Sequence, residues 1–171
     1  KIRIRRLPEA GSNQKLDDKK MRLYPDPTAD LLVSELADFY HLDKDQILSA
    51  LDPMMAGHVF SDVFQFRTSD LLPGYHLFFY DVWANMLRIP YETKALDDDF
   101  QIRKEDYYGE NGGVVFPNPN APTGILMPLS EIEDIIAHNR DVIVVVDEAY
   151  IDLAGSLRAS ESKNMTIFSW Y

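Results

Sequence analysis

Two apolar runs with one amphipathic stretch between them constrain the fold of this chain most. The runs are residues 113–116 and 142–146, and in neither do polar residues alternate with apolar ones. Such runs of β-branched residues are typical of strands that are buried on both faces of a sheet. A strand, a helix and a strand at this spacing form a βαβ unit with a right-handed crossover. The two strands are therefore predicted to be parallel and to end at the same edge of one sheet.

The stretch between the two runs carries its own helix signals. Ser130 is a good N-cap residue, and Glu133 three positions later can complete a capping box. Ile132, Ile135 and Ile136 form one apolar stripe at helical spacing. We therefore predict a helix that starts at Ser130 and packs its isoleucines on the sheet.

Polar side chains follow both predicted strands. Asn118 and Asn120 come after the first strand, and Asp147 and Tyr150 come after the second. Open α/β sheets bind ligands just beyond the carboxyl ends of their strands. The sequence therefore predicts a candidate site at this edge, with Asn120, Asp147 and Tyr150 facing one cavity.

The rest of the chain alternates predicted helices and strands, which indicates an α/β fold. Thr28 is the predicted N-cap of a helix with Leu32, Leu36 and Phe39 on one face, and residues 68–74 are predicted to be a turn. The other predicted helices are residues 55–66 and 76–87, the latter with Tyr80, Trp83 and Leu87 on one face. The other predicted strands are residues 2–4, 89–95 and 165–168. Residues 43–48 are predicted to be a loop that leads into a further short strand.

Composition excludes several classes of function. A length of 171 residues, with 46% hydrophobic and 12% aromatic residues, suits one globular domain. The formal net charge of -11 argues against a general binder of nucleic acid or of an anionic membrane surface. No cysteine is present, which excludes disulfides, thiolate nucleophiles and cysteine metal sites. The histidines, at 41, 58, 76 and 138, share no metal-ligand spacing. Without a signal core or a membrane-length apolar run, a cytoplasmic protein is the default expectation.

The acidic pair Asp147 and Glu148 has three interpretations. The first is the metal-supporting pair of a nucleotide-binding domain, but the phosphate-binding Gly-x-x-x-x-Gly-Lys-Ser/Thr loop that it requires is not in the sequence. The second is a carboxylate that keeps a pyridinium nitrogen protonated, as in pyridoxal phosphate enzymes, with Tyr150 donating to the phenolic oxygen of the ring. The third is a simple cap, in which Asp147 closes the turn that follows it. The residues alone leave the choice open.

Two motifs resemble those of the fold type I aminotransferases, which depend on pyridoxal 5'-phosphate. Residues 118–124 read Asn-Pro-Asn-Ala-Pro-Thr-Gly, and residues 144–150 read Val-Val-Val-Asp-Glu-Ala-Tyr. Residues 22–28, Arg-Leu-Tyr-Pro-Asp-Pro-Thr, further resemble the histidinol-phosphate aminotransferases. The resemblance implies an incomplete large domain with three α/β/α layers and a mostly parallel sheet. Residues 1–41 would be the N-terminal arm and first helix, and residues 42–171 part of the large domain.

The resemblance also implies a reaction and its participants. Histidinol phosphate would exchange its amino group with 2-oxoglutarate, in histidine biosynthesis, on a cytoplasmic homodimer that takes small-molecule substrates. Asp147 would pair with the pyridinium nitrogen, and Tyr150 would bond the ring oxygen. Asn120 is the nearest substitute for a second asparagine contact to that oxygen, which the family makes from the position of Ala121.

Two tyrosines complete the carried-over site. Tyr24 resembles the tyrosine that reaches the cofactor of the neighbouring subunit. Tyr75 is the ring-stacking candidate when positions are counted from Pro73, whereas counting back from residues 89–91 gives Leu77.

Other positions depart from the family pattern. Residues 50–55 lack the glycines that let backbone N–H groups approach a phosphate, and Asp52 would repel one. Ser169 is followed by Trp170 where the family has its Schiff-base lysine, and Lys163 is interpreted as a surface lysine. We therefore assign no catalytic residue and expect a weakly held, non-covalent cofactor.

The alternatives to an active enzyme are an inactive α/β scaffold or fragment, and a nucleotide-binding domain that uses Asp147 and Glu148 with a metal. Self-association is expected through apolar surface at residues 55–66 and along the sheet.

Overall fold

The computed structural model describes residues 22–24, 26–50, 69–74, 79–151 and 167–170. The chain forms two compact units, Lys1–Ser49 and Ala50–Tyr171. The predicted strand at 2–4, the predicted helix at 55–66, the phosphate-loop positions 51–55, Tyr75 and Lys163 lie outside the described residues. No described helix has the length and apolarity needed to cross a membrane.

In its described residues the first unit contains helix α1 (Asp30–Tyr40) and a 3-10 turn (Lys44–Gln46). Strand β1 (Ile47–Ala50) follows and spans the boundary after Ser49. The predicted short strand after residue 43 is therefore confirmed. Leu36 is buried together with Ala37, whereas Phe39 is about half exposed.

The prediction that Thr28 caps α1 is wrong. The residue before the helix is Ala29, in the left-handed region at φ 50°, and it makes no side-chain cap bond. Asp26 supplies the acceptor instead. Its carboxylate accepts bonds from the Thr28 hydroxyl, the Thr28 N–H and the Asp30 N–H, at 2.8, 3.1 and 2.9 Å. These bonds, led by that of the Thr28 hydroxyl, lower the pKa of Asp26.

The second unit is built on a four-stranded parallel sheet in the order β3-β2-β4-β5. The predicted parallel βαβ unit is confirmed, because β4 pairs with β5 in a register that sets Val114 opposite Val144 and Pro117 opposite Asp147. The elements are β2 (Asp70–Pro73), α2 (Phe79–Leu87), β3 (Tyr91–Lys94), a 3-10 turn (Lys104–Tyr107), β4 (Val114–Pro117), α3 (Leu129–His138), β5 (Val144–Asp147) and β6 (Ile167–Trp170).

The predicted turn at residues 68–74 is wrong, because β2 occupies it and lies between β3 and β4 in the sheet. All four residues of β2 are buried. Gly74 then allows a close approach to the next strand. Its N–H bonds the Lys94 carbonyl, and a Cβ atom at this position would lie 3.0 Å from that oxygen.

The predicted N-cap of α3 is also wrong. The helix begins at Leu129, so Ser130 already lies in its first turn and makes no cap bond. Pro128 is the N-cap, with φ -61° and ψ 144°, and its carbonyl accepts bonds from the N–H groups of Glu131 and Ile132. Proline provides the φ angle that the chain needs on entering the helix.

Two apolar clusters cover opposite faces of the sheet, which gives the three predicted layers. Alternate residues of β4 divide between them, with Val114 and Phe116 on the α3 face and Val115 on the α2 face, all fully buried. Ile132 and Ile135 of α3 are buried as predicted. On the other face, the predicted helix stripe of Tyr80, Trp83 and Leu87 packs in one cluster. The strand β5 is partly buried, not fully buried as predicted.

Candidate active site

Asp147 is the last residue of β5 and lies at the carboxyl edge of the sheet. Its Oδ1 accepts a bond from the N–H of Ala149 at 3.0 Å, so it does close the following turn, as the simplest interpretation of its position predicted. Its Oδ2 accepts a second bond, from the hydroxyl of Tyr80 at 2.6 Å. The carboxylate is therefore held at both oxygens and remains partly exposed.

Tyr80 contacts the candidate site, although the sequence predicted it only as one member of a helix face with Trp83 and Leu87. It lies 67 positions from Asp147, on α2, and 3% of its surface is exposed. Burial, followed by the charge and hydrogen bond of Asp147, raises the pKa of Tyr80. The residue therefore stays a neutral donor. An apolar stripe at helical spacing predicts that such a tyrosine is buried. It does not predict which strand end its hydroxyl contacts.

Asn118 links the carboxyl edge to the loop before α3. Its backbone N–H bonds the carbonyl of Asp147 at 2.8 Å, which extends the pairing of β4 with β5. Its side chain is 1% exposed and bonds the backbone of Met127 twice, donating to the carbonyl and accepting from the N–H at 2.8 Å. Asn118 is therefore a structural clamp of the 118–127 loop.

Asn120 is buried, with 3% of its surface exposed. Its side-chain NH₂ donates to the Thr123 hydroxyl at 3.0 Å, and its carbonyl accepts from the Gly124 N–H. In the described part of the chain its Oδ1 has no hydrogen-bond partner. Asn120 lines a cavity of about 20 Å³ together with Asn118 and Met127, which is room for about one water molecule.

Asn120, Asp147 and Tyr150 were predicted to face one cavity. The small cavity beside Asn120 does not test this prediction, because neither Asp147 nor Tyr150 lines it. It stays a prediction. Tyr150 is 47% exposed and Tyr24 is 99% exposed. Within the described ranges, no group of three or more histidine, cysteine, aspartate or glutamate side chains is placed to hold a metal ion.

Residues 75–168 match the family model of the class I and II aminotransferases. The chain belongs to this family. The matched segment includes Tyr80, Asn118, Asn120, Asp147 and Tyr150, and Tyr24 lies outside it.

Histidinol-phosphate aminotransferases are among the most similar curated relatives. That of Pseudomonas putida (strain W619) is 46% identical over 142 residues, which are 82% of this chain and 40% of the relative. Histidinol-phosphate aminotransferase 1 of Methylococcus capsulatus (strain ATCC 33009 / NCIMB 11132 / Bath) is 44% identical over 142 residues, which are again 82% of this chain and 40% of the relative. The chain thus spans about 40% of the length of these relatives.

Solved structures agree on the fold. The L-threonine-O-3-phosphate decarboxylase of Porphyromonas gingivalis superposes with a TM-score of 0.70 at 21% identity, covering 89% of this chain and 46% of that chain. The histidinol-phosphate aminotransferase of Clostridium acetobutylicum superposes with a TM-score of 0.69 at 20% identity, covering 81% of this chain and 42% of that chain. At such identities these structures establish the fold alone. They confirm the predicted fold class, an α/β fold of the fold type I pyridoxal phosphate transferases.

Enzymes of this family depend on pyridoxal phosphate, and the described residues fit its ring at Asp147. Each carboxylate oxygen has about two acceptor positions, and Tyr80 and Ala149 use one on each. The partly exposed carboxylate therefore keeps acceptor capacity for a protonated ring nitrogen. The unpartnered Oδ1 of Asn120 does not suit the ring oxygen of the cofactor when that oxygen is ionised, because two acceptors do not bond each other. The Asn120 donor is held by Thr123.

Proposed function

We propose that this chain is the large-domain part of a pyridoxal phosphate-dependent aminotransferase that moves an amino group between histidinol phosphate and 2-oxoglutarate. The observation that carries the proposal is Asp147, fixed at the carboxyl edge of the sheet by Tyr80 and Ala149 within the family-matched segment. The names of the curated relatives support the choice of histidinol phosphate.

In this proposal each site residue has one role. Asp147 accepts the bond of the ring nitrogen and keeps that nitrogen protonated. The half-exposed hydroxyl of Tyr150 donates to the ring oxygen, and Asn120 shapes the loop beside it. Tyr75 stacks on the ring. When bound, the cofactor supplies an electron sink for the bond that breaks next to the amino group.

We further propose a homodimer in which Tyr24 contacts the cofactor site of the neighbouring subunit. The support is that 99% of the Tyr24 surface is exposed, so its hydroxyl is accessible to a partner. In the sequence, Pro25 follows Tyr24 directly and Pro27 comes two positions later, and prolines at this spacing disfavour a helix.

The first test is cofactor binding by the variant Asp147→Asn. Asparagine keeps the size of the side chain and an oxygen for Tyr80, but it removes the charge that a protonated ring nitrogen requires. We expect the Kd for pyridoxal phosphate, measured by equilibrium dialysis, to rise about tenfold or more. Asp98→Asn is the control, because Asp98 is an exposed residue of the turn that the Phe100 N–H closes on the Asp97 carbonyl. Equal affinity of Asp147→Asn and the unchanged chain would contradict the proposed site.

The second test separates an enzyme from an inert scaffold. The chain is supplied with pyridoxal phosphate, histidinol phosphate and 2-oxoglutarate, and glutamate is measured. Glutamate that forms with the unchanged chain and is lost in Asp147→Asn supports the proposed reaction. Cofactor binding without any glutamate supports the inactive scaffold or fragment instead.

A further inference from the structure

The position of Tyr80 is fixed by the core more than by the site. Its ring packs in the apolar cluster between α2 and the sheet, with Leu72, Ala84 and Val115. The ring of Trp83 lies one helical turn on, with centroids 6.3 Å apart and planes tilted by 57°. A side chain held on several sides in this way has little rotamer freedom, so its hydroxyl is presented at one place.

That place is Oδ2 of Asp147, at 2.6 Å. A hydrogen bond from a neutral hydroxyl to a carboxylate at this distance is short and charge-assisted. The Ala149 N–H holds the other oxygen at 3.0 Å. Together the two donors determine the orientation of the carboxyl plane, whereas the Ala149 bond alone leaves the group able to swing about it.

Tyr80 is also unsuited to exchange its proton. Burial and the neighbouring carboxylate raise its pKa, so it remains a phenol throughout the range in which proteins are stable. Its contribution to any chemistry at Asp147 is therefore made through orientation.

We propose that Tyr80 is a positioning residue, whose hydroxyl holds Asp147 in the orientation that pairs with the ring nitrogen of pyridoxal phosphate. This inference rests on the proposed function, because it needs the ring nitrogen to lie at Asp147. Tyr80 itself does not contact the reacting atoms in this scheme.

The test compares two ligands that differ only at the ring nitrogen. These are pyridoxal 5'-phosphate and its carba analogue, in which a C–H replaces that nitrogen. Affinities are measured for the unchanged chain, Tyr80→Phe and Asp147→Asn. In Tyr80→Phe we expect the Kd for pyridoxal phosphate to rise about threefold to tenfold, with the Kd for the analogue unchanged. A role of Tyr80 in folding alone would weaken both ligands equally.

Tyr107→Phe is the matched control. Tyr107 is 1% exposed and packs in the cluster on the other face of the sheet, so it measures the general cost of removing a buried tyrosine hydroxyl. Both ligands should bind this variant as they bind the unchanged chain. A ligand-free readout is carboxyl ¹³C NMR of Asp147, whose signal we expect to shift in Tyr80→Phe and to stay in place in Tyr107→Phe.

The outcomes separate the two proposals. If Asp147→Asn loses pyridoxal phosphate selectively and Tyr80→Phe does not, the positioning role is overturned and the proposed site stands. Equal loss of both ligands in Tyr80→Phe also overturns it. If the unchanged chain binds both ligands equally, no ring nitrogen pairs with Asp147, and the proposed function fails together with the role of Tyr80.

Discussion

Asp70 is a buried carboxyl group at the amino edge of the sheet, opposite to the edge that holds Asp147. It is 3% exposed, and within the described residues its Oδ1 has no hydrogen-bond partner. Burial raises its pKa to about 7. Because this folded pKa lies above that of the unfolded chain, the unfolded state loses its proton first as the pH rises. The free energy of unfolding therefore falls between about pH 4 and pH 7 and stays lowered above pH 7.

Asp70→Asn is expected to abolish this pH dependence, because the amide has nearly the same shape and does not ionise. The free energy of unfolding at pH 8 should rise by about 1–3 kcal/mol, with little change at pH 4. Urea denaturation at pH 4 and at pH 8 measures the free energy of unfolding under both conditions. Asp98→Asn, at an exposed carboxyl, provides the comparison. A variant that is no more stable than the unchanged chain at pH 8 would show that Asp70 carries no burial penalty.

Among the elements, α3 is held at its carboxyl-terminal end by a buried amide. Asn139 follows the helix, is 5% exposed, and donates from its NH₂ group to the carbonyls of Tyr107 and Ile135 at 2.7 and 2.8 Å. Its oxygen accepts a bond from Asn111 at 2.6 Å. One side chain thus joins the end of α3 to the segment that leads into β4.

Asn139→Ala should lower the free energy of unfolding by about 2–4 kcal/mol, since it leaves several buried polar groups unpaired. Thermal and urea unfolding measure the loss. Arg140→Ala, at the exposed neighbouring position, should change the stability by less than about 0.5 kcal/mol. Similar losses in the two variants would mean that the amide bonds do not hold the end of α3.

The strength of the local sequence signal explains which elements could be predicted. The βαβ unit could be predicted, because two short apolar runs rich in valine and an isoleucine stripe between them all favour it. The strand β2 could not be predicted, since only Leu71 and Leu72 carry an apolar signal and its central position comes from pairing with distant strands. For the candidate site, sequence and resemblance predicted that Asp147 follows a strand at the carboxyl edge of the sheet, and it ends β5 at that edge. The bond from Tyr80 joins residues 67 positions apart and follows only from how α2 packs.

At the scale of the whole molecule, the two ends of the described sheet differ. β3 lies at one end and exposes Glu92 and Thr93, with Glu92 paired to Lys94. β5 lies at the other end and carries valines, next to Ile143, which is 42% exposed. Charged residues protect the edge of a sheet from adding strands, whereas apolar edges favour association. β5 is therefore the side of the described sheet suited to contact further polypeptide.

We expect the chain to self-associate and Ile143→Lys to reduce this association. Light scattering coupled to size exclusion, over a range of protein concentrations, measures the mass. Val82→Lys is the control, because Val82 is a similarly exposed apolar residue on α2 rather than beside the sheet edge. A monomeric unchanged chain at high concentration, or an equal effect of Val82→Lys, would argue against association through β5.

The packing of Trp83 beside Tyr80 gives the protein an optical reporter of its candidate site. The sequence contains two tryptophans, Trp83 and Trp170. In a Trp170→Phe variant, excitation at the red edge of indole absorption, where tyrosine absorbs little, selects the emission of Trp83. The centroid of its ring lies 6.3 Å from that of Tyr80, whose hydroxyl bonds Asp147. Pyridoxal phosphate absorbs in the range of indole emission, so we expect its binding at the proposed site to quench this fluorescence by energy transfer. Occupancy of the site can thus be followed in real time, without a label and without turnover.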